Sequence, residues 1–597
     1  MILQELCKLY DRLKDDPAYE IPKPGYSLQK ISFIVVLKPD GTLFDIQDAR
    51  IQREKKLVPQ EILVPGTGKP SGSGFNPCIL WDNAAYLLGF FEAKNPEKPT
   101  NDEKKKIART PNAFEKSKEE HIALSKTITV PQFQAVARFF ESWTPEKLTE
   151  ELKVKLRPCA VNFGVFQILG EDRFVHEIPK ITQFLEKNKE TPANSTKAQC
   201  LISGNFDTIA ELHAPAIKGV AGAQSSGAMI VSYNWKAATS YGKENGANAP
   251  VSLESANRYC VTLNALIRNE KHRFRLGDST VVFWTGEKTE GKSIENDFSF
   301  LLDAPSAQDE TKLRHIEAFL KNLKNADTPQ TALEQSGYSD SAGTPFFMLG
   351  LAPNAARLAI RFWHTGTLGK FLENLREHHR AMQIQRRNEK FNDPEFIPLW
   401  QILRQTARES DGIPPLLGGA LLRSVVENLP YPQSLIQLVL NRIRIDGDIS
   451  YVRASILKAF LTRNKKQKIT MSLDINNTNP AYLLGRLFAI LEKTQTEAIP
   501  GLNSGIRERF YASASSTPRT VFPIMLRTFP HHLAKLDKAK EIFLSKLVQE
   551  VIDGLDAENG FPAHLNLESQ GLFAIGYYQQ TQAFFAKKEP AENTPSK

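Results

Sequence analysis

The chain has 597 residues, of which 41% are hydrophobic and 24% are charged. This length exceeds what one hydrophobic core usually supports, so we expect roughly two to four domains, and the ordinary composition excludes wholesale disorder. The formal net charge of +9 lies entirely in residues 1–470, because residues 471–597 contain equal numbers of basic and acidic side chains. A positive charge confined to one part of a chain indicates a polyanionic partner there.

Apolar residues from Ile2 to Leu13 recur at helical spacing with charged residues between them, which is not the pattern of a signal peptide. No apolar run approaches the ~18 residues that span a bilayer. The five cysteines are far apart and form no CxxC pair: Cys7, Cys78, Cys159, Cys200 and Cys260. A disulfide scaffold and a zinc ribbon are therefore not expected, and a cytoplasmic location is.

In chain order, the first two-thirds mixes strands with helices. Residues 31–37 form a β-branched, apolar run, and a Pro-Asp-Gly turn leads to a partner strand at residues 42–46. Further strand-like runs are residues 229–232, 281–284 and 358–363. Residues 303–345 are rich in small polar side chains around one amphipathic helix at residues 313–323, which is typical of a connection between lobes.

After about residue 396 the pattern is helical. Apolar residues mark one face of a helix at residues 398–408, 419–428, 433–445 and 451–463. Asn479 is the expected N-cap of a further helix that has Pro480 at its first position. We predict an α+β fold, with a mixed α/β N-terminal recognition body followed by an all-α C-terminal helical bundle. The predicted domains are residues 1–345, 346–470 and 471–597.

The sharpest local anomaly is the glycine-rich segment of residues 65–76. A phosphate-binding loop is excluded because Leu63 stands where its first glycine is required and Pro70 follows Lys69. Two interpretations remain open. The segment is either a plain surface loop or a finger whose glycines approach a nucleic-acid groove while Lys69 supplies charge.

A second segment of small residues covers 218–228, and a third covers 240–250. Neither contains the GxSxG pattern of a hydrolase nucleophile, because Ala223 and Gln224 occupy the upstream positions. Small polar residues around single lysines suit contacts to phosphates and base edges. Tight turns between strands explain the same composition, so both interpretations stay open.

Two basic clusters favour phosphate binding. Residues 357–408 contain ten basic residues against five acids, and residues 442–468 contain eight against two. The eight are Arg442, Arg444, Arg453, Lys458, Arg463, Lys465, Lys466 and Lys468. Single charge runs are usually solvated faces, but two clusters on neighbouring predicted helices favour one shared stripe for phosphates.

Catalytic and metal-binding patterns offer little. The sequence has no HExxH motif, and the adjacent pair His378-His379 points in different directions on a helix. Asp446-Gly-Asp448 resembles a metal-binding pair, but its place between two helical patterns favours a turn. We therefore expect no catalytic residue, no metal and no cofactor.

The residues also resemble a known family. The most specific likeness is Gly222-Ala-Gln-Ser-Ser-Gly-Ala-Met-Ile-Val-Ser-Tyr-Asn234 with Ser240-Tyr-Gly-Lys243. Asn76-Pro-Cys-Ile-Leu-Trp-Asp-Asn83, Gly350-Leu-Ala-Pro-Asn354 and Tyr451-Val-Arg-Ala-Ser-Ile-Leu-Lys458 extend it along the chain. These motifs are similar to the Csd-type large subunit of the type I-C CRISPR Cascade. Tyr233 stands where the family is expected to have Phe, and residues 94–111 share no recognisable motif with it.

The resemblance implies a non-catalytic subunit of an RNA-guided surveillance complex in antiviral defence. Such a subunit recognises the protospacer-adjacent motif in duplex DNA and helps to unwind the duplex for R-loop formation. The implied partners are the guide crRNA, target double-stranded DNA, the backbone repeat subunits and the subunit that binds the 5′ handle. Small subunits and a transiently recruited helicase-nuclease complete the set, and no membrane is implied.

By analogy with related large subunits, residues 66–76 correspond to a glycine loop and Gln224 to a wedge at the motif. The predicted DNA-binding residues, taken from this analogy and from the two segments of small polar residues, are Lys69, Ser71, Gly72, Ser73, Gly74, Asn76, Gln224, Ser225, Ser226, Lys243 and Asn248. The family also tends to express its C-terminal helical module separately, which makes Met471 the expected internal start of a small subunit. Two alternatives remain: a metal-dependent nuclease and a scaffold that binds only proteins.

Overall fold

The computed structural model describes residues 2–23, 25–53, 56–66, 68–69, 74–160, 162–187, 196–233, 235–302, 310–555 and 560–585. The chain divides into two compact units. Unit 1 consists of Met1–Lys218 with Ser226–Ala265, and unit 2 consists of Gly219–Ser225 with Leu266–Lys597. Within the described ranges, no helix has both the length and the apolar character needed to cross a bilayer.

Unit 1 is built on a five-stranded mixed sheet and two short hairpins. Its strands are β1 Tyr26–Leu37, β2 Leu43–Asp48, β3 Ile51–Arg53, β4 Lys56–Val58, β5 Gln60–Pro65, β6 Trp81–Asn83, β7 Phe163–Ile168, β8 Lys197–Gln199 and β9 Phe206–Thr208. The sheet has the order β2-β1-β7-β6, with β5 also paired to β1, while β3-β4 and β8-β9 form the hairpins. β1 is antiparallel to β2 and β5 and parallel to β7. The predicted pairing of residues 31–37 with residues 42–46 is confirmed.

Much of the rest of unit 1 is helical. Its helices are α1 Ile2–Leu13, α2 Ala84–Leu87, α3 Asn101–Ser125, α4 Pro131–Ser142, α5 Glu150–Leu156, α6 Pro179–Lys187 and α7 Leu253–Arg268, whose C-terminal end belongs to unit 2. Phe33, Val35 and Leu37 alternate along β1, so they lie on the same face of the sheet. They share one core with the aromatic side chains of α4, such as Phe139 and Phe140.

Unit 2 contains a four-stranded antiparallel sheet. Its strands, in spatial order, are β10 Arg273–Leu276, β11 Ser279–Thr285, β12 Pro345–Asn354 and β13 Arg357–Thr367. The strands predicted at residues 281–284 and 358–363 are confirmed. The strand predicted at residues 229–232, in unit 1, is wrong. Ala228 instead forms an isolated bridge with Ile217, directly after Gly227, whose φ of 102 turns the chain just before these residues.

The rest of unit 2 is helical. Its helices are α8 Phe298–Leu302, α9 Glu310–Asn325, α10 Pro329–Gln335, α11 Leu368–Met382, α12 Leu399–Arg404, α13 Pro415–Val426, α14 Gln433–Asp446, α15 Tyr451–Lys465, α16 Pro480–Ala498, α17 Ile506–Ala514, α18 Pro518–Leu533, α19 Lys538–Asp553 and α20 Leu567–Ala583. The side chain of Asn479 accepts a hydrogen bond at the start of α16, as predicted. The predicted α+β class is confirmed, because both large sheets precede α11 and the described residues after it form helices without strands.

The close contact between α16 and α20 depends on glycine. A Cβ atom on Gly485 would overlap the carbonyl oxygen of Phe573, and one on Gly576 would overlap that of Tyr482. Because each helix presents a glycine to the backbone of the other, the two helices approach more closely than side chains would allow. This contact forms the centre of the C-terminal helical region.

The two compact units differ from the three predicted domains. The predicted boundary at residue 345 falls inside a sheet, because β12 pairs with β11 along most of its length. A single apolar core then extends from Phe274 in the sheet of unit 2 to Tyr578 in α20. Residues 471–597 therefore share their core with the preceding helices of unit 2.

Candidate nucleic-acid interface

Lys69, in the glycine-rich segment of residues 65–76, is held by the scaffold of unit 1. Its Nζ forms an ion pair with Asp82, whose side chain is fully buried, and donates a hydrogen bond to the carbonyl oxygen of Asn76 at 2.6 Å. The same ammonium lies 3.4 Å from the centre of the Tyr86 ring. Lys69 therefore fastens the segment to the scaffold instead of extending its charge into solvent.

The N-terminal end of this segment is fixed by backbone acceptors. The N–H of Gly66 donates to the carbonyl oxygen of Gly25 at 2.7 Å, and the indole Nε1 of Trp81 donates to that of Pro65 at 2.6 Å. Gly66 has φ 94, in the left-handed region that favours glycine. The segment thus leaves the sheet at a defined place and in a defined direction.

At the other end of the segment, Gly74 and Asn76 are exposed. The carbonyl oxygen of Gly74 accepts a hydrogen bond from Arg109 at 3.1 Å, and the guanidinium of Arg109 lies 4.4 Å from the centre of the Phe75 ring. Among the described residues, the side-chain amide of Asn76 has no hydrogen-bond partner, which leaves it available to a ligand. The predicted contacts Ser71, Gly72 and Ser73 lie outside the described residues.

Gln224 belongs to a loop that is packed within unit 2. The N–H of Ala221 donates to Thr280 Oγ1 at 3.1 Å, and a Cβ on Gly222 would lie 3.2 Å from the Pro353 ring. These contacts fix the backbone that precedes Gln224. The predicted contact residues Gln224, Ser225 and Ser226 are all exposed. The loop therefore presents short polar side chains from a fixed backbone.

Lys243 is the last residue of a tight turn whose two central residues are Tyr241 and Gly242. The N–H of Lys243 donates to the carbonyl oxygen of Ser240 at 2.9 Å, and Tyr241 and Gly242 both have positive φ, at 49 and 69. These are the dihedral signs of a type I′ turn. Tyr241 is 98% exposed and Lys243 is also exposed. The side-chain amide of Asn248 donates to the carbonyl oxygen of Lys243, so it stabilises the turn.

Sequence reasoning missed Tyr241. The available signal was a tyrosine directly before glycine in a segment of small residues, since such a dipeptide forms a tight turn and leaves the ring no place in a core. Trp235, a few residues earlier, is 47% exposed and has its ring 6.5 Å from that of Tyr233. Exposed aromatic faces beside lysines are suited to stacking on nucleic-acid bases.

The eight basic residues of the predicted phosphate stripe fall into two groups. Contacts inside unit 2 engage five of them: Arg442, Arg444, Arg453, Lys458 and Arg463. Arg453 is 7% exposed and ion-paired with Asp446, and Lys458 is 5% exposed. Burial lowers the pKa of the Lys458 ammonium. These side chains stabilise the helical packing, and a phosphate has little access to them.

The other three, Lys465, Lys466 and Lys468, are exposed at the end of α15. Lys465 forms an ion pair with Glu568, while Lys466 caps the helix with φ 56. In the described part of the chain, neither Lys466 nor Lys468 forms a salt bridge. Within the predicted stripe, the charge available for phosphates is therefore concentrated in the short connection that leads to Met471, itself 53% exposed.

The Asp446-Gly-Asp448 sequence forms the predicted turn between helices. α14 ends at Asp446, Gly447 caps it with φ 63, and α15 begins at Tyr451. Asp446 is ion-paired with Arg442 and Arg453, which hold the pKa of its carboxyl below the usual range. Over the described ranges, no three His, Cys, Asp or Glu side chains are arranged to hold a metal ion.

Comparison with known proteins decides the family. A family model for the CRISPR-associated protein Cas_Csd1 matches residues 6–585. The chain belongs to this family. The Cas_Csd1 match begins within α1 and ends just after α20, so it includes the glycine-rich segment, the Tyr241 turn and the lysines that follow α15. The predicted Csd-type family is thereby confirmed. No curated protein sequence matches the chain.

Proposed function

We propose that this CRISPR-associated protein is the large subunit of a type I-C surveillance complex, Cascade, in cytoplasmic antiviral defence. In this role it recognises the protospacer-adjacent motif in duplex DNA and helps to unwind the duplex for R-loop formation. It binds nucleic acid without cutting it and requires no cofactor. Membership of the Cas_Csd1 family supports a CRISPR role.

The observation that carries motif recognition is the exposed amide of Gln224 on a fixed loop. The backbone just before it is held by Thr280 and packed against Pro353, so the side chain is presented without a large ordering cost. Amide side chains and closely approaching backbone suit the minor groove, where A·T and G·C pairs differ by few hydrogen-bonding groups. Asn76, beside a pinned glycine-rich segment, offers a second amide of this kind.

The partners follow from this role. The guide crRNA pairs with the target strand, and the backbone repeat subunits and the 5′-handle-binding subunit hold it in place. A helicase-nuclease is recruited transiently to cut the opened DNA. The small subunits of the complex are the protein's own C-terminal module, translated from Met471.

The test measures binding of the purified full chain to labelled duplexes that differ only in the three base pairs next to the target. We expect a preference for one flanking motif. Gln224→Ala and Asn76→Ala should reduce that preference, because each removes a base-edge contact of roughly 1–3 kcal/mol. Gln335→Ala and Asn112→Ala change equally exposed amides on helices and serve as matched controls.

Three results would contradict the proposal, and two of them identify its alternatives. Equal affinity for duplexes with different flanking base pairs would contradict motif recognition but would remain compatible with phosphate binding. Cleavage of the labelled duplex by the purified chain in Mg²⁺ or Mn²⁺ would establish the nuclease instead. Binding that is absent at low salt, where counterion release favours it most, would leave a scaffold that binds only proteins.

A further inference from the structure

A cavity of about 720 Å³ opens in unit 1, between α2, the chain that follows it and the first half of α3. Aromatic side chains line it: Phe75, Tyr86, Phe90 and Phe91. The volume falls within the range of ~300–1,000 Å³ that is usual for small-ligand sites. Six of its eighteen lining residues come from residues 94–111, the stretch that shares no recognisable motif with the family. The resemblance therefore does not explain what this part of the wall does.

The charges around the cavity are not balanced. Its two carboxylates are already engaged, since Glu92 is ion-paired with Arg157 and Glu103 accepts the backbone N–H groups of Lys94 and Thr100. Among the described residues, the ammonium groups of Lys94 and Lys106 form no salt bridge. An anionic group that entered the cavity would therefore meet two ammonium groups that form no salt bridge among the described residues.

The cations lie against the aromatic rings. The Lys106 ammonium is 5.8 Å from the centre of the Phe91 ring, and the Arg109 guanidinium is 4.4 Å from that of Phe75. Flat aromatic faces beside cations are the features with which proteins hold an unpaired nucleotide, because the base stacks and the phosphate pairs with charge. A base inside a duplex cannot enter such a cavity, since it is stacked and paired.

The cavity is also continuous with the glycine-rich segment. Phe75 belongs to both, and Arg109 holds the carbonyl oxygen of Gly74 while its guanidinium covers the Phe75 ring. Tyr86 lines the cavity and receives the ammonium of Lys69. A nucleic acid that is opened beside this segment would therefore present unpaired nucleotides at the mouth of the cavity.

We propose that this cavity binds one unpaired nucleotide of a nucleic acid, with its base stacked on Phe75 or Phe91 and its phosphate paired with Lys106 or Lys94. This rests on the proposed function, because the opening of a duplex supplies the unpaired nucleotide. The site would hold the strands apart after the motif has been read. It is distinct from motif recognition, which requires paired DNA.

The experiment uses the full chain and single-stranded DNA and RNA oligonucleotides that carry 4-thiothymidine or 4-thiouridine. Photo-crosslinks mapped by mass spectrometry should fall on the cavity aromatics. Phe75→Ala and Lys106→Ala should each weaken single-strand binding by roughly fivefold or more, the effect of removing one base stack or its charge partner. Lys105→Ala, on the same helix but outside the cavity, and Phe206→Ala, 73% exposed on β9, are the matched controls.

Phe75→Leu keeps an apolar side chain without a ring, so a loss of binding in a variant with an unchanged unfolding midpoint supports stacking. A larger effect with DNA assigns the site to the displaced strand of the opened duplex, and a larger effect with RNA assigns it to the guide. The proposal would be overturned if Phe75→Ala and Lys106→Ala lost no more single-strand affinity than the controls, or if the crosslinks fell outside the cavity. A side chain of a partner protein would then be the better candidate for the ligand of the cavity. Motif preference measured on duplexes should be unchanged in Lys106→Ala, so failure here is distinguishable from failure of the proposed function.

Discussion

Lys69 and Asp82 form an ion pair at the base of the glycine-rich segment, and the carboxylate of this pair is fully buried. The backbone N–H groups of Cys78 and Asn83 also donate to that carboxylate. The charge of Lys69 is thus used to satisfy a buried group. Contact with a phosphate would have to compete with this pairing.

The pair makes Lys69→Met a test of stability. The substitution leaves the Asp82 carboxylate buried without a counter-charge, so we expect the free energy of unfolding to fall by about 3 kcal/mol. Because burial raises the pKa of Asp82, the deficit should shrink at acid pH, where the carboxyl takes up a proton. Denaturant unfolding measures the effect, with Lys180→Met as an exposed control. The double variant Lys69→Met with Asp82→Asn should recover much of the lost free energy of unfolding. If the effects of the two substitutions in a double-mutant cycle simply added, the result would contradict the ion pair.

The lysines after α15 lead to a second prediction. Lys466→Gln and Lys468→Gln should each weaken duplex binding and lower the slope of log affinity against log salt by about one, while the unfolding midpoint stays unchanged. Arg453→Gln should instead lower the unfolding midpoint and leave duplex binding unchanged, because it removes a partner of Asp446 inside the packed helices. Binding titrations at several salt concentrations distinguish the two groups. If Arg453→Gln also lowered the slope of log affinity against log salt, Arg453 would contact a phosphate, as the predicted shared stripe requires.

The sequence predicted the elements whose signals are local. The hairpin of β1 and β2 follows from an apolar, β-branched run and its turn, and the end of α14 follows from Gly447. β12 was not predicted, because its apolar run is compatible with a helix until β11 pairs with it across about sixty residues of chain. α3 was missed because it is highly charged and contains Pro111.

Side-chain environments were harder to predict than elements. The residues of α15 from Tyr451 to Leu461 are buried on every side of the helix, so its arginine and lysine point into packed surroundings. A charge pattern in the sequence cannot reveal this, because burial depends on helices that come much later in the chain. The ion pair of Lys69 with Asp82 likewise depends on the fold and could not be predicted from the sequence. The exposure of Gln224 and Lys243, in contrast, follows from the turn-forming residues of their own segments.

The exposed ring of Tyr241 leads to a third prediction. Tyr241→Ala should weaken binding to nucleic acid by roughly fivefold or more, in line with the ~1–3 kcal/mol that a base stack contributes, without lowering the unfolding midpoint. Tyr241→Phe keeps the ring and should bind normally. Fluorescence anisotropy with labelled duplex and single-stranded DNA provides the measurement. If the phenylalanine variant is as weak as the alanine variant, the hydroxyl and not the ring makes the contact.

His121 makes a fourth prediction about pH. Its Nε2 accepts the N–H of Leu80, its Nδ1 donates to the carbonyl oxygen of Ser117, and burial lowers the pKa of the imidazole to about 4. The unfolded chain takes up a proton near pH 6.5, so stability is full above that value and falls as the pH drops toward 4. The slope is about 1.4 kcal/mol per pH unit for one proton. His121→Gln should reduce the measured slope by about one proton.

Met471 carries the last prediction, because its side chain is half-exposed and its carbonyl oxygen accepts the backbone N–H of Gln385. Met471→Leu should therefore leave the full-length protein folded while it removes the proposed start of the small subunit. In the native host, a C-terminal tag should detect a full-length and a short product from the natural gene, and only the full-length product from the variant. Met525→Leu changes a methionine inside α18 and should leave both products. A short product that persists in Met471→Leu would place its origin elsewhere. A separately made module would also expose the face of α20 at Gly571 that packs on α15, which gives it an apolar surface for association with the complex.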